Sequence, residues 1–194
     1  GVYGLDGSTN GTQATDIYLT VDAQIEEAAY KALGNRRGAV AVYNYRTGEL
    51  LALVSTPTFD PENKPEIADD DPKWNGVYVN RATNGLFVPG SIFKIITSAA
   101  AIENLPDVDN FEFTCTGELQ IGPDKITCPH AHGKVSFKRA LSVSCNCAYA
   151  TLAMEVGGDK LQKEAEKFGY NQPISYGTQN FATSKIDAKN ATNA

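Results

Sequence analysis

The stretch Gly85-Leu-Phe-Val-Pro-Gly-Ser-Ile-Phe-Lys94 decides how this chain folds and what its side chains can do. Pro89-Gly90 is typical of a turn, and apolar residues then recur from Ile92 to Ile102 at helical spacing. This pattern predicts that Ser91 begins a buried α-helix. Lys94 would then lie almost one turn further along, with its side chain on the same face as that of Ser91.

A serine hydroxyl beside a lysine amine has a chemical use, because the hydroxyl is a weak nucleophile until a base accepts its proton. Burial of the Lys94 ammonium near the positive end of a helix dipole would lower its pKa and allow the amine to be that base. The N–H groups at the helix N-terminus are also suited to bind the oxyanion of an attacked carbonyl. In the structural alternative, Ser91 only caps the helix and the amine of Lys94 extends into solvent.

Composition and charge restrict the class of protein. The chain has 194 residues and is 42% hydrophobic, which suffices for one sizeable core, with two small domains as the alternative. A formal net charge of −6 and the lack of any long Lys/Arg cluster argue against a nucleic-acid partner. No apolar run approaches the roughly 18 residues of a membrane span, and the first residues do not resemble a signal peptide. We therefore expect a soluble domain, which is compatible with an anchor upstream in a longer parent protein.

Residue patterning divides the chain into three segments. Residues 1–15 are rich in small polar residues and are expected to be a linker, whereas residues 171–194 are expected to be a polar tail, without structure, or a truncation or deletion junction. Residues 16–170 carry the regular elements, beginning with a β-hairpin over 38–55. The expected fold class is α+β: an incomplete antiparallel sheet with flanking helices, and a mainly helical lobe over 91–168.

The second half of the chain alternates short β-rich and helical patterns. The expected elements are a hairpin from Glu112 to Thr127 around Gly122-Pro123-Asp124-Lys125, a helical turn from Ser136 to Leu141, and helices over 144–156 and 159–168. Ser144-Cys145-Asn146 stands at the entry to the first of these helices. Residues two apart cannot share one helical face, but in a loop entering a helix Ser144 and Asn146 can both point into a neighbouring cleft. The structural alternative is that Ser144 caps the helix.

These motifs together resemble a known family. Pro89-Gly-Ser-Ile-Phe-Lys94 followed by Ser144-Cys145-Asn146 resembles the first two motifs of the penicillin-binding proteins, the serine D,D-transpeptidases that cross-link peptidoglycan. Further segments are similar to class B members in the same order: Leu19-Thr-Val-Asp-Ala-Gln-Ile25, Gly38-Ala-Val-Ala-Val42, Thr47-Gly-Glu-Leu-Leu-Ala-Leu-Val-Ser55, Asn80-Arg81-Ala82 and His132-Gly133. The resemblance implies that residues 16–170 are part of a penicillin-binding transpeptidase domain.

The resemblance also implies a role for each matching residue. Ser91 would form the acyl-enzyme from stem peptides ending in D-Ala-D-Ala, and Lys94 would be its base. Ser144 would return a proton to the leaving amine, and Asn146 would hydrogen-bond the lysine and the substrate amide. β-Lactam antibiotics would trap Ser91 as mimics of the peptide. No metal or organic cofactor is expected.

The same resemblance implies where the parent protein works. It places the protein outside the cytoplasm, at the outer face of the bacterial cytoplasmic membrane, with a membrane anchor and cell-wall synthesis partners. A D,D-carboxypeptidase or β-lactamase differs only in that water replaces the acceptor amine, so these motifs do not separate the three activities. A penicillin sensor or interaction module without catalytic activity is a further alternative.

One motif of the family is absent from the sequence. Lys-Ser/Thr-Gly occurs nowhere in the 194 residues, and the nearest string, Thr183-Ser184-Lys185-Ile186, has neither the order nor the glycine. The family places this motif well after Ser-x-Asn, so we expect a truncated or internally deleted chain. The missing strand would supply the second oxyanion donor and contacts to the terminal carboxylate of the substrate. We therefore expect this polypeptide to be impaired in acylation.

Cysteine and histidine residues in the second half raise two further questions. Cys115, Cys128, His130 and His132 are residue types that bind zinc, but Cys128-x-His-x-His lacks an established finger spacing, so no zinc site is predicted. The residues leave a disulfide between Cys115 and Cys128 open: it needs a shifted ladder or strands that end early, and an extracytoplasmic setting would permit it. The remaining two cysteines, Cys145 and Cys147, cannot bridge each other on a helix and are expected to be buried as small apolar residues.

Overall fold

The computed structural model describes residues 18–68, 70–176 and 179–189. The chain forms two compact units, Gly1–Leu86 and Phe87–Ala194. The expected linker over 1–15 and the last five residues of the expected tail lie outside the described residues. The fold class is α+β, as predicted, with short antiparallel strand pairs and helices in both units.

The first unit contains the predicted hairpin and a helix before it. Helix α1 spans Ala23–Leu33, and it begins where the Asp22 carboxylate accepts hydrogen bonds from two backbone N–H groups of the first turn. Strands β1 (Gly38–Tyr43) and β2 (Leu50–Thr56) pair antiparallel, which confirms the hairpin. The short helix α2 follows at Arg81–Asn84.

Helix α1 and strand β2 together build the core of this unit. Ala52 and Val54 of β2 are both buried, because alternate residues of a strand face the same side. Ala29 of α1 is also buried. The Glu26 carboxylate also accepts a hydrogen bond from the Leu53 N–H at 3.0 Å. Helix and strand are thus joined by both apolar packing and a polar contact.

The second unit begins with the stretch quoted first above. A 3-10 turn at Gly90–Phe93 leads directly into helix α3, Lys94–Asn104. The elements that follow are β3 (Glu112–Cys115), β4 (Glu118–Ile121), β5 (Asp124–Thr127), β6 (Gly133–Ser136), α4 (Phe137–Ser142), α5 (Asn146–Val156), α6 (Gly158–Lys167), β7 (Ser175–Tyr176) and β8 (Gln179–Asn180).

The helix after Ser91 differs from its prediction in start and in orientation. The α-helix begins at Lys94 rather than at Ser91, which lies inside the 3-10 turn and does not cap it. Helix α3 packs against α5 and α6, and it contributes Ala100 and Ala101 to the core that the three helices share. The prediction that the whole apolar set is buried is wrong, because three of its isoleucines are exposed: Ile92, Ile95 and Ile102.

The expected hairpin over 112–127 is only half correct. Strands β4 and β5 pair around a two-residue turn, Gly122-Pro123, as a hairpin. Strand β3 instead pairs with β6, for which no strand was predicted; only its last residue, Ser136, falls in a predicted element, the helical turn. The break between β3 and β4 falls at Gly117, whose φ of 100° is accessible to glycine but costly for other residues. Because of this break, β3 does not continue into the β4–β5 hairpin and pairs with β6 instead.

The described part of the region after residue 170 is structured, so the prediction that the chain lacks structure there is wrong. Strands β7 and β8 form a small hairpin. The side chain of Asn171 both donates to the Ile186 carbonyl and accepts from its N–H, at 2.8 and 3.1 Å. Ala188 is buried against the core of the second unit. Hydrogen bonds between distant residues hold this segment, and local sequence patterns do not reveal them.

Helix α5 forms the centre of the second unit. Its residues face β3, β5, α3 and α6, so it is covered on several sides. The largest fully buried side chains among the described residues are Leu152, Val135, Cys115, Cys145 and Cys147. Leu152 is the largest of them, and burial of an aliphatic side chain of this size contributes about 1.5–3 kcal/mol to folding.

Leu152→Ala should therefore lower the free energy of unfolding of the chain by about 2–5 kcal/mol, because it removes buried methyl groups and leaves a cavity. Met154→Ala is the matched control on the same helix, since Met154 is 41% exposed and should cost less than about 1 kcal/mol. Urea denaturation followed by circular dichroism measures both. Equal losses for the two variants would contradict the central position of α5.

Candidate active site

The amine of Lys94 joins the two motifs found in the sequence. Its Nζ lies 3.2 Å from Ser91 Oγ, 2.7 Å from Ser144 Oγ and 2.7 Å from Asn146 Oδ1, and it also donates to the Ser144 carbonyl at 2.9 Å. The Ser144 hydroxyl in turn donates to Ser91 Oγ at 3.0 Å. All four predicted site residues therefore meet at one point of the second unit.

Burial distinguishes the two partners of the first motif. Lys94 is 8% exposed, whereas Ser91 is exposed. Because Lys94 is the first residue of α3 and Ser91 lies one 3-10 turn earlier, the two side chains lie over each other, as a spacing of three predicts. The alternative with the lysine amine in solvent is wrong. The serine hydroxyl is accessible and its lysine neighbour is shielded from water.

The backbone before α5 explains how Ser144 and Asn146 reach the same amine. Ser144 has a φ of 52°, in the left-handed region that is unfavourable for residues with a side chain. Cys145, and not Ser144, caps the helix, with its Sγ accepting from the Ala148 N–H at 3.4 Å. The Asn146 side chain is held from its other end by a bond to the Thr127 carbonyl at 2.9 Å. This bend turns both polar side chains toward Lys94.

The environment of Lys94 changes its acidity. Burial lowers the pKa of the amine below its ordinary value, against a smaller opposing effect from the thiols of Cys128 and Cys145. The neutral amine, which has a lone pair to accept a proton, is therefore easier to reach than for a lysine in water. The direction of this shift agrees with the sequence-based expectation.

Two residues under the site were missed by the sequence analysis. Ser98 Oγ donates to the Lys94 carbonyl at 2.7 Å and is 2.7 Å from the Tyr149 hydroxyl. The Tyr149 ring centroid lies 5.7 Å from Lys94 Nζ. Their spacing in the sequence could have identified them. Ser98 lies four residues after Lys94, and Tyr149 lies three after Asn146, so each is on the same helix face as a residue of the site.

The cysteines lie next to this site and all four are free. Cys145 and Cys147 are fully buried, as predicted. Sγ and ring-nitrogen atoms of Cys115, Cys128, His132 and Cys145 all lie within 4.8 Å of one another. The ladder places Cys115 opposite Gly133, with His132 next to it, whereas His130 is exposed and its ring is tilted against the His132 ring, with centroids 4.5 Å apart.

The thiols of this group differ in acidity. Burial opposes ionisation of Cys115, but hydrogen bonds from the backbone N–H groups of His132 and Gly117 outweigh it and lower the pKa of this thiol to about 6. Burial raises the pKa of the Cys145 thiol to about 11 and that of Cys147 to about 12. Of these three thiols, Cys115 therefore ionises most readily.

Comparison with known proteins identifies the family. The model of the penicillin binding protein transpeptidase domain matches residues 38–194. The chain belongs to this family. Among curated relatives, this transpeptidase-family chain is 31% identical to the peptidoglycan D,D-transpeptidase PbpA of Mycolicibacterium smegmatis, over 81% of this chain and 36% of the relative. It is 34% identical to the peptidoglycan D,D-transpeptidase MrdA of Escherichia coli, over 80% and 26% of the two chains.

Solved structures agree with this assignment. The transpeptidase-family chain superimposes on the imipenem acyl-enzyme complex of penicillin-binding protein A from M. tuberculosis with a TM-score of 0.77 and 26% identity, over 90% of this chain and 45% of that one. The D,D-transpeptidase domain of a peptidoglycan glycosyltransferase from Eggerthella lenta gives a TM-score of 0.73 and 32% identity, over 86% and 40%. The chain therefore spans less than half the length of these proteins.

The lowered pKa of Lys94 can be measured by NMR of ¹³C-labelled lysine side chains. We expect the Lys94 amine to titrate at lower pH than the exposed lysines, because burial disfavours the ammonium form. Asn146→Asp would place a carboxylate beside Nζ and should raise the titration midpoint. Asn104→Asp, at the far end of α3, is the control and should not move it. A midpoint that is insensitive to Asn146→Asp would contradict the shared site.

Proposed function

We propose that this chain is the acyl-forming part of a peptidoglycan D,D-transpeptidase that also binds β-lactam antibiotics. The single observation that carries the proposal is the position of Lys94 Nζ, buried and within 3.2 Å of Ser91 Oγ while bonded to Ser144 and Asn146. An accessible hydroxyl beside a shielded amine is the arrangement that nucleophilic acyl transfer requires.

In the proposed reaction, Ser91 Oγ attacks the carbonyl carbon of the penultimate D-Ala of a stem peptide. Lys94, as the neutral amine, accepts the hydroxyl proton at the moment of attack. The tetrahedral intermediate then collapses to an ester on Ser91, and the bond to the terminal D-Ala breaks. Ser144 lies within 3.0 Å of both Ser91 Oγ and Lys94 Nζ, so it can pass the proton from Lys94 to the leaving amine.

The second half of the reaction repeats these steps in reverse order. An amine of a neighbouring strand attacks the ester carbonyl and gives its proton through Ser144 to Lys94. Lys94 returns the proton to Ser91 Oγ as the ester bond breaks. Asn146 holds the lysine with its Oδ1 and is placed to bond the substrate amide. A D,D-carboxypeptidase or a β-lactamase would use water in place of the amine with the same residues, so products formed with and without an added acceptor amine distinguish these activities.

Similar proteins support this reaction class. Those named above are described as peptidoglycan D,D-transpeptidases, and penicillin-binding protein A from M. tuberculosis forms acyl-enzyme complexes with imipenem and penicillin G. A β-lactam that opens on a serine forms an ester with the hydroxyl, which is the same type of bond as in the first step proposed here. The expected partners of this chain are thus a stem peptide and β-lactams.

We place the parent protein outside the cytoplasm, at the outer face of the bacterial cytoplasmic membrane, because its relatives build peptidoglycan. Within the described parts of the chain, no helix is both long and apolar enough to cross a membrane. A similar protein, PBP2 from Helicobacter pylori, has been solved in complex with MreC. We propose that the parent protein likewise assembles with protein partners in cell-wall synthesis.

Ser91→Ala should abolish the covalent adduct that the chain forms during prolonged incubation with penicillin G, because it removes the attacking oxygen. Ser142→Ala is the matched control: Ser142 is an exposed serine whose hydroxyl only donates to the Arg139 carbonyl at 3.0 Å. Lys94→Ala should slow adduct formation about 10²–10⁴-fold through loss of the base. Mass spectrometry of the intact chain measures the adduct of each variant. An unchanged yield of adduct on Ser91→Ala would show that Ser91 is not the nucleophile.

The absence of Lys-Ser/Thr-Gly from the sequence leads to a separate prediction about rate. Since removal of one oxyanion donor costs about 10²–10³ in rate, labelling of this 194-residue chain by a fluorescent penicillin should be at least about a hundredfold slower than for a domain with all three motifs. Rapid labelling of Ser91 would contradict this.

If Ser91→Ala leaves the biological activity of the parent protein intact, the chain is a penicillin sensor or interaction module.

A further inference from the structure

A cavity at one end of the first unit concentrates positive charge. It has a volume of about 430 Å³ and lies where β1 begins and β2 ends, between the end of α1 and the 3-10 turn Pro72–Trp74. Three of the side chains that line it are cationic, those of Arg36, Arg37 and Lys73, and none of the described lining residues has a carboxylate. Sites for small molecules typically measure about 300–1,000 Å³, so this cavity is large enough for one.

The positive charge around this cavity is not neutralised within the described ranges of the chain. No Asp or Glu there forms an ion pair with Arg36, Arg37 or Lys73. The chain as a whole carries a formal net charge of −6, so three cations without such a partner around one cavity run against its composition. Like charges repel one another, and an anion bound between them would offset that repulsion.

Contacts with the backbone hold both arginines in place. Arg36 Nη1 donates to the Ala32 carbonyl at 3.1 Å, and Arg37 Nη2 donates to the Pro72 carbonyl. From the end of β2, the buried Thr56 hydroxyl donates to the Arg36 carbonyl at 2.7 Å. A guanidinium has five N–H donors, so each arginine keeps donors for a ligand. Because these contacts already restrict the arginines, less free energy is lost in ordering them when a ligand binds.

Two aromatic rings, those of Tyr30 and Trp74, form another part of the cavity wall. Tyr30 is half-exposed and Trp74 is half-buried. Lys73 Nζ lies 4.5 Å from the centroid of the Trp74 ring, a cation–π contact that holds this ammonium at the cavity. The rings offer apolar surface to the organic part of a ligand whose anionic group binds the cations.

We propose that this cavity binds a phosphate monoester. The phosphate lies among Arg36, Arg37 and Lys73, and the attached organic group lies against the two aromatic rings. A phosphate monoester carries about −1.5 to −2 charges at pH 7 and has three acceptor oxygens, which suits three cations better than the single charge of a carboxylate. Arginine also binds phosphate through two parallel N–H bonds. A soluble sugar phosphate and a lipid with a terminal phosphate share this chemistry, and the test below separates them.

Trp74 is the only tryptophan in the sequence, so its fluorescence reports directly on the occupancy of the cavity. The full chain is titrated with glucose 1-phosphate, with glucuronate, and with vesicles of phosphatidylcholine with or without phosphatidic acid. We expect a saturable change with glucose 1-phosphate, which indicates a sugar phosphate, or only with phosphatidic acid, which indicates a lipid. Isothermal titration calorimetry should give the same affinity, and added salt should weaken it, because the cations are exposed.

Matched variants separate the cavity from general surface charge. Arg36→Gln and Lys73→Gln should each weaken binding at least about tenfold, because each removes charge-assisted hydrogen bonds to the phosphate. Arg46→Gln is the control for the first, since the Arg46 side chain is also exposed and also makes one local hydrogen bond. Lys64→Gln is the control for the second, since Lys64 also lies over an aromatic ring. Calorimetry measures all four variants, and circular dichroism verifies that they fold.

Three results would overturn the proposal. The folded native chain could show neither a fluorescence change nor heat of binding with either phosphate. Glucuronate could bind more tightly than both phosphates, which would assign the cavity to a carboxylate. Arg36→Gln and Lys73→Gln could bind as tightly as the two controls, which would place the phosphate elsewhere. The experiment measures no enzyme activity and the cavity belongs to the first unit, so its outcome is independent of the proposed acylation of Ser91.

Discussion

Burial of the Lys94 amine is the constraint on which the rest of the second unit depends. An ammonium withdrawn from water without partners costs several kcal/mol, so a chain that buries one must supply oxygen atoms around it. Here two hydroxyls, one amide oxygen and one carbonyl lie within 3.2 Å. They come from segments some fifty residues apart in sequence, and the need to satisfy one amine fixes both segments relative to α3.

The same amine links stability to chemistry. A lysine with acceptors on one side and the Tyr149 ring on another has little freedom to rotate, so its Nζ stays beside Ser91. The burial that makes this placement costly also lowers the pKa of the amine, which favours the form able to take a proton. Beneath it, the Ser98 hydroxyl connects α3 to α5 through Tyr149.

Short-range pattern in the sequence was sufficient for part of this fold and site. The hairpin over 38–55 and the pairing of Ser91 with Lys94 follow from turn residues and from a spacing of three, both of which are local. That Ser144 and Asn146 can point into the same cleft could be expected because they lie where the chain enters a helix. Family resemblance, and not spacing, connected the two motifs across more than fifty residues.

What local pattern missed depends on contacts between distant residues. Strand β6 was missed because its partner, β3, is distant in sequence. The break at Gly117 separates β3 from the hairpin that follows it and lets β3 pair with β6. The grouping of Cys145 with Cys115, Cys128 and His132 needs three separate loops to meet, and no spacing rule encodes that. The exposed face of α3 was misjudged because apolar residues alone do not show which side a neighbouring helix covers.

The left-handed backbone at Ser144 has a consequence for the mutations that the site can accept. Threonine carries the same hydroxyl as serine, but a β-branched residue adopts a positive φ even more rarely than serine does, so Ser144→Thr adds strain to this turn. At Ser91, which lies in an ordinary 3-10 turn, the backbone raises no such barrier. Ser91 and Ser144, although hydrogen-bonded to each other, therefore differ in how well they tolerate replacement by threonine. The difference comes from the backbone conformation at each position.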